Sequence, residues 1–307
     1  MFRKKHIWIS LLTLSFICIL TACGGQSLSD SKSGEMKDFQ TEKGVVKVPV
    51  HPKRIIVATE TYAGDVLALG FTPVGVMQNA KDSKILVPKL KNVTTISPDN
   101  IEKIVELKPD LIITGTHNKN IDKLSKIAPT VAFTYGKLKY LDQHLAIAKL
   151  LGKEKEAQTW VEQWKKKTAK ASKEIKAKIG QDATVMVMEA YEKELYVYGD
   201  NWGRATEVIY QALQLKMPEA VVKDAMGPGF YALSAEAIPK YAGDYIFLSK
   251  TGTKTDTSFS ESNLWKNIPA VKNNRVYETD AKSFYFNDPL TLETELEFIK
   301  DKLLNSK

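Results

Sequence analysis

Hydrophobic and polar positions divide the chain into four stretches with different periods. Ile7 to Leu20 is an apolar run, too short to cross a bilayer as a helix. Gly24 to Lys37 is glycine- and serine-rich with no hydrophobic period, the pattern of a flexible tether. From there to about Leu151, short β-branched runs alternate with helical patterns, which predicts βα units around a largely parallel sheet. The strands are expected at Ile55 to Ala58, Val74 to Met77, Leu111 to Ile113 and Val131 to Phe133. Between them, Thr61 to Leu69 reads as a helix ending at Gly70. Asp99 to Leu107 reads as another, with Asp99 and Glu102 spaced as a capping box.

Glu154 to Ile179 has one uninterrupted helical period. Ala157, Trp160, Val161, Trp164, Thr168, Ala171, Ile175 and Ile179 form its apolar stripe, and nine lysines between Lys153 and Lys178 occupy the other faces. At 1.5 Å per residue this helix runs about 40 Å, enough to cross the back of two lobes. After Gly180 the α/β alternation resumes, with strands expected at Thr184 to Met188, Leu195 to Tyr198, Tyr245 to Leu248 and Arg275 to Tyr277. The flanking halves share a register: Glu102 precedes Asp110, and Glu236 precedes Asp244, by the same eight residues, with a helical stretch between and a strand after. The chain therefore divides into residues 1–22, a tether at 23–37, an N-terminal lobe at 38–151, a bridging helix at 152–179 and a C-terminal lobe at 180–307.

The N-terminal run gains meaning from its flanks. Arg3, Lys4 and Lys5 precede it and Leu20-Thr21-Ala22-Cys23 closes it, which makes 1–22 a signal peptide. The closing residues resemble the bacterial lipobox, whose cysteine is acylated and becomes the new N-terminus, so Cys23 is the expected lipidation site and the outer face of the cell membrane the expected location. Two acyl chains anchor stably where one binds only marginally. Cleavage lowers the formal net charge from +8 to +5 and leaves 285 of the 307 residues. That balance is too mild to point to nucleic acid, and the glutamates interleaved with the lysines of the long helix read as a solvated face. With Cys18 removed and Cys23 acylated, the exported domain has neither a disulfide nor a thiolate metal site.

Candidate chemistry is sparse. Walker A, the glycine-rich dinucleotide fingerprint, His-Glu-x-x-His and Gly-x-Ser-x-Gly are all absent. His51, His117 and His144 are read as surface residues, and the sequence clusters no metal ligands. Aromatic residues, by contrast, are concentrated. Tyr191, Tyr196, Tyr198 and Trp202 lead to Arg204, and Phe284-Tyr285-Phe286 cannot all face one side of an element, so some of them border a cleft or solvent. Asn201 to Arg204 reads as a helix start, where a cation opposes the helix dipole and so suggests a use other than helix stability.

His51-Pro52-Lys53-Arg54-Ile55, Leu107-Lys108-Pro109-Asp110-Leu111-Ile112, the single long helix and Tyr198-Gly199-Asp200-Asn201-Trp202-Gly203-Arg204, together with the lipobox, resemble the siderophore-binding lipoproteins of Gram-positive iron importers. The match is nearest to members that bind ferric hydroxamates such as ferrichrome and ferrioxamine. The resemblance implies an α/β fold of two Rossmann-like lobes bridged by one long helix, with the ligand in the cleft between them. It also implies a monomeric binding protein without a resident cofactor, because the siderophore supplies every oxygen that ferric iron needs. By matching position it carries ligand contact to Tyr135, Tyr196, Trp202, Arg204 and Tyr285, the last where close relatives have tryptophan. It carries docking on the ABC permease subunits to Glu102 and Glu236.

Other ligands suit similar folds. A catecholate siderophore would need more converging cations than Arg204 alone, haem would need an axial methionine or histidine, and cobalamin stays open. A lipid-anchored α/β hydrolase would need a nucleophile beside a base, which no serine or histidine context supplies. A purely adhesive surface protein would leave the aromatic groups without a role.

Overall fold

A computed structural model of the chain describes residues 34–252 and 255–306. Cys23 and the expected signal peptide lie outside the described residues. The expected tether ends two residues early, because strand β1 (Met36–Thr41) already includes Met36 and Lys37 and pairs antiparallel with β2 (Gly44–Pro49).

Two five-stranded sheets follow. The first comprises β3 (Ile55–Ala58), β4 (Gly75–Met77), β5 (Thr94–Ile96), β6 (Leu111–Gly115) and β7 (Thr130–Phe133), all parallel, in the order β5-β4-β3-β6-β7. The second comprises β8 (Val185–Tyr191), β9 (Glu194–Tyr198), β10 (Phe230–Leu233), β11 (Tyr245–Lys250) and β12 (Val276–Asp280) in the order β10-β9-β8-β11-β12. The order is that of the first sheet, with β9 reversed as the second arm of a hairpin. β3 and β6 are buried throughout, as strands covered on both faces must be, which is why they read as unbroken apolar runs.

The repeated register of the two halves has a physical basis. Asp110, just before β6, accepts hydrogen bonds from the backbone N–H groups of Lys53 (2.7 Å) and Arg54 (2.9 Å), at the head of the neighbouring β3. Asp244, just before β11, accepts from the N–H and hydroxyl of Thr184, both 2.8 Å, at the head of the neighbouring β8. In each lobe one carboxylate aligns the starts of the two central strands.

The long helix, Glu154–Ile179, buries Ala157, Val161, Trp164, Thr168, Ala171 and Ile175. It packs against the helix Tyr140–Leu151 and the C-terminal helix Pro289–Leu304, and Lys167 pairs with Glu293 of the latter. Trp164 donates its indole N–H to the Tyr140 hydroxyl at 2.8 Å, tying the helix to the first lobe. No described helix is long and apolar enough to cross a membrane.

Two local expectations change. The helix expected from Asp99 is Ile101–Glu106, and Asn100 caps it by accepting the N–H of Lys103 at 3.0 Å. The Asp99 carboxylate instead accepts from Asn120 at 2.7 Å, so Glu102 is not part of a capping box. His144 is buried, not superficial: its Nδ1 lies 2.8 Å from Asp65 Oδ1 and its ring packs edge-on against Trp160. Beside this pair, buried Asp288 caps the C-terminal helix by accepting from the N–H groups of Leu290 (3.0 Å) and Thr291 (3.2 Å). Helix Ala63–Ala68 approaches so closely that a Cβ on Gly64 would fall 2.0 Å from the Asp288 carboxyl carbon.

Candidate functional site

In an open α/β sheet, ligands gather beyond the carboxyl ends of the strands where the strand order reverses. Here that point falls between β3 and β6 in one lobe and between β8 and β11 in the other. A cavity of about 430 Å³ is lined by residues of both lobes. The first lobe contributes Thr59 to Tyr62 after β3, Gly115 and His117 from the end of β6, and Tyr135 after β7; the second contributes Glu189, Tyr191, Tyr196, Tyr198, Trp202, Arg204, Phe230 and Tyr285.

Arg204 is the cation of this cavity, and its backbone is unusual. Gly203, Arg204 and Ala205 all have positive φ, at 68°, 56° and 68°. For the two that are not glycine this conformation costs on the order of 1 kcal/mol each, so the surroundings must enforce it. They do so from several sides. The Arg204 N–H donates to the Phe284 carbonyl at 2.5 Å, and the Gly203 N–H donates to both carboxylate oxygens of buried Glu207 at 3.1 Å. A Cβ on Gly203 would lie 2.2 Å from the Tyr285 carbonyl oxygen, which leaves room only for glycine. Arg204 therefore precedes the π-helical turn Glu207–Ala212 and does not start a helix as the sequence suggested; the helix dipole is not what it opposes.

This loop presents the guanidinium between two rings, with its carbon 4.7 Å from the Tyr198 centroid and 4.8 Å from that of Tyr285. Its Nε and Nη2 donate to Glu189 Oε2 at 3.2 and 2.9 Å, and Nη1 donates to the Trp202 carbonyl at 3.0 Å. The Tyr198 hydroxyl donates to the same Glu189 oxygen at 2.5 Å. Burial alone would pull the guanidinium down, yet the paired Glu189 carboxylate helps hold Arg204 above its ordinary value. The ring hydroxyls respond to the same setting. Burial pushes Tyr198 and Tyr285 up, and for Tyr285 the Arg204 charge opposes that rise while Glu60 adds to it.

All five residues expected at the ligand site, Tyr135, Tyr196, Trp202, Arg204 and Tyr285, line this one cavity. Tyr135 meets Trp202 edge-on across the lobes at 5.8 Å, and Trp202 meets Phe230 at 5.2 Å. Phe284 and Phe286 are buried on either side of Tyr285, which resolves how three consecutive aromatics are arranged. Glu189, Glu60, Tyr62 and Phe230 escaped the sequence reading. They lie in three separate segments, and only the sheet order brings these together. His117 is exposed as expected, yet it borders the cavity, with Nε2 3.2 Å from Glu60 Oε2. Among the described residues no group of histidine, cysteine and carboxylate side chains is arranged to hold a metal ion.

Glu102 and Glu236 are both exposed, and among the described residues neither forms an ion pair. Glu102 follows β5, and Glu236 follows β10, which runs in the direction of β8 because two antiparallel pairings separate them. Both glutamates thus stand at the carboxyl ends of equivalent strands, on the side of the molecule where the cleft opens.

The family described as periplasmic binding protein matches residues 55–283, which spans both sheets. The chain belongs to this family. It is 39% identical to the iron(3+)-hydroxamate-binding protein FhuD of Bacillus subtilis, an alignment that covers 97% of this chain and 98% of the relative. The fold superposes on FhuD2 of Staphylococcus aureus with bound ferrioxamine B at a TM-score of 0.80, with 42% identity, 83% of this chain and 99% of that one covered. It superposes on the FhuD protein from S. pseudintermedius at a TM-score of 0.82, with 40% identity over 88% of this chain and 99% of that one. The aromatic cavity around Arg204 lies between the two lobes that the family match spans.

Proposed function

We propose that this protein is the substrate-binding lipoprotein of an ABC importer, captures ferric hydroxamate siderophores at the outer face of the cell membrane and hands them to the permease. The observation that carries this reading is a single guanidinium, held between two tyrosine rings, in a cavity walled mostly by aromatic side chains. A trihydroxamate complex is nearly neutral, rich in methylenes and exposes hydroxamate oxygens. Aromatic walls bury the methylenes, and a planar fork of donors meets the oxygens. The iron arrives fully coordinated by the siderophore, so the protein itself binds the complex without supplying a metal ligand. Catalysis is no part of this reading.

Within the same reading, Tyr135, Tyr196, Trp202, Arg204 and Tyr285 contact the ligand, Cys23 bears the lipid, and Glu102 and Glu236 meet cations on the permease. The binding protein acts as a monomer. Titration of a panel of ferric siderophores against tryptophan fluorescence tests the ligand class, with Trp202 in the wall as the reporter. Saturable quenching by ferric trihydroxamates, and far weaker quenching by catecholate complexes, is expected. Preference for a catecholate complex or haem would replace the hydroxamate reading.

A further inference from the structure

Arg204 does not balance the charge of the cavity. Glu60 and Glu189 both line it, so two carboxylates face one guanidinium in a chain whose formal net charge is +8. The two carboxylates are in different states. Glu189 has a side chain only 3% exposed and is committed through Oε2 to Arg204 and Tyr198. Glu60, on the opposite lobe, is 42% exposed, and its carboxylate meets the His117 ring at 3.2 Å and the Thr59 hydroxyl at 3.3 Å. Its position is set from outside the cavity, because Asn79 donates to the Glu60 carbonyl at 2.6 Å. It lines the same cavity as Arg204 and does so from the other lobe.

We infer that Glu60 recognises a positively charged pendant group on the siderophore, so that the cleft favours ferric hydroxamates bearing a free ammonium over neutral ones. The inference rests on the hydroxamate reading and narrows it. Arg204 meets the hydroxamate oxygens from one lobe while Glu60 receives the ammonium from the other. A carboxylate that retains solvent contact holds an ammonium without the full cost of desolvating both ions. The same carboxylate repels anionic complexes, since a like charge in a walled cleft is only partly screened.

The test uses ferrioxamine B, a linear trihydroxamate complex that ends in a free amine, and its N-acetylated counterpart, which differs only in that charge. Binding of each is measured by fluorescence to the wild type and to Glu60→Gln, at low and at high salt. The wild type is expected to bind the ammonium form roughly three- to tenfold more tightly, a preference that shrinks with salt. In Glu60→Gln the ratio of the two affinities is expected to fall to about one, whatever the absolute affinities become. Equal affinities in the wild type, or an undiminished ratio in Glu60→Gln, would overturn the inference and leave hydroxamate binding standing. Failure of both forms to bind would remove the hydroxamate reading as well.

Discussion

Arg204 and Glu189 show how one side chain serves both binding and folding. The guanidinium spends Nε and Nη2 on a carboxylate buried to 97% of its side chain, so the pair is a desolvated one whose separation is costly. Arg204→Ala removes charge-assisted hydrogen bonds worth about 1.5–3 kcal/mol, which lowers siderophore affinity roughly tenfold to more than a hundredfold. It also strands Glu189, so the melting temperature is expected to fall. Arg204→Lys keeps the charge but not the fork, and a lysine cannot bridge Glu189 and the Trp202 carbonyl as the planar guanidinium does. Its affinity should fall nearly as far with a smaller loss of stability. Calorimetric affinity and thermal melting of both variants separate the two contributions, and unchanged affinity in both would exclude Arg204 from the ligand contact. This residue was legible as a functional cation from its segment, but its partner Glu189 was not. A lone glutamate in a strand carries no local sign of burial.

Asp288 belongs to the scale of elements, because it caps the C-terminal helix where that helix meets Ala63–Ala68 and the His144–Asp65 pair. Burial, and then the nearby Asp65 charge, raise its carboxyl from the ordinary 3.8 to about 6. The folded protein therefore holds this proton more tightly than the unfolded chain does. The associated stability is present in full below about pH 4 and is lost as pH rises through about 6. Asn can accept the same two N–H groups without ionising. The stability of Asp288→Asn relative to the wild type should accordingly rise between about pH 4 and pH 7, by on the order of 2–3 kcal/mol. Urea unfolding of both proteins at the two pH values measures it, and a constant difference would show that the carboxyl does not titrate as described. The long helix was readable because its apolar stripe recurs over 26 residues, whereas the cap at Ile101–Glu106 shifted by one residue to Asn100. Adjacent Asp and Asn compete for such a role, and it is the contact of Asp99 with Asn120 that decides between them.

At the scale of the molecule, the repeated strand order puts Glu102 and Glu236 at matching corners on the side of the cleft. The two exposed carboxylates contribute little to the fold, since neither caps through a side-chain hydrogen bond. A double Glu102→Ala, Glu236→Ala variant is thus expected to melt within about 1 kcal/mol of the wild type and to bind siderophore normally. Cells carrying it should import ferric siderophore more slowly, and opposite charge changes on the permease should restore part of the rate. Wild-type uptake by the folded variant would end the docking assignment.

The amino-acid sequence by itself determined the alternation of strands and helices, the single bridging helix and the aromatic segments around Trp202 and Tyr285. All of these are written in local periods or contiguous residues. Only the tertiary structure decided which aromatics face the cavity, why Arg204 sits in a left-handed loop, and that His144 is buried against Asp65, 79 residues away. It also decided that Glu60 and Glu189 line one cavity from opposite lobes. The physical reason is that burial and charge pairing are set by elements distant in sequence, and a residue's own neighbours along the chain do not record them.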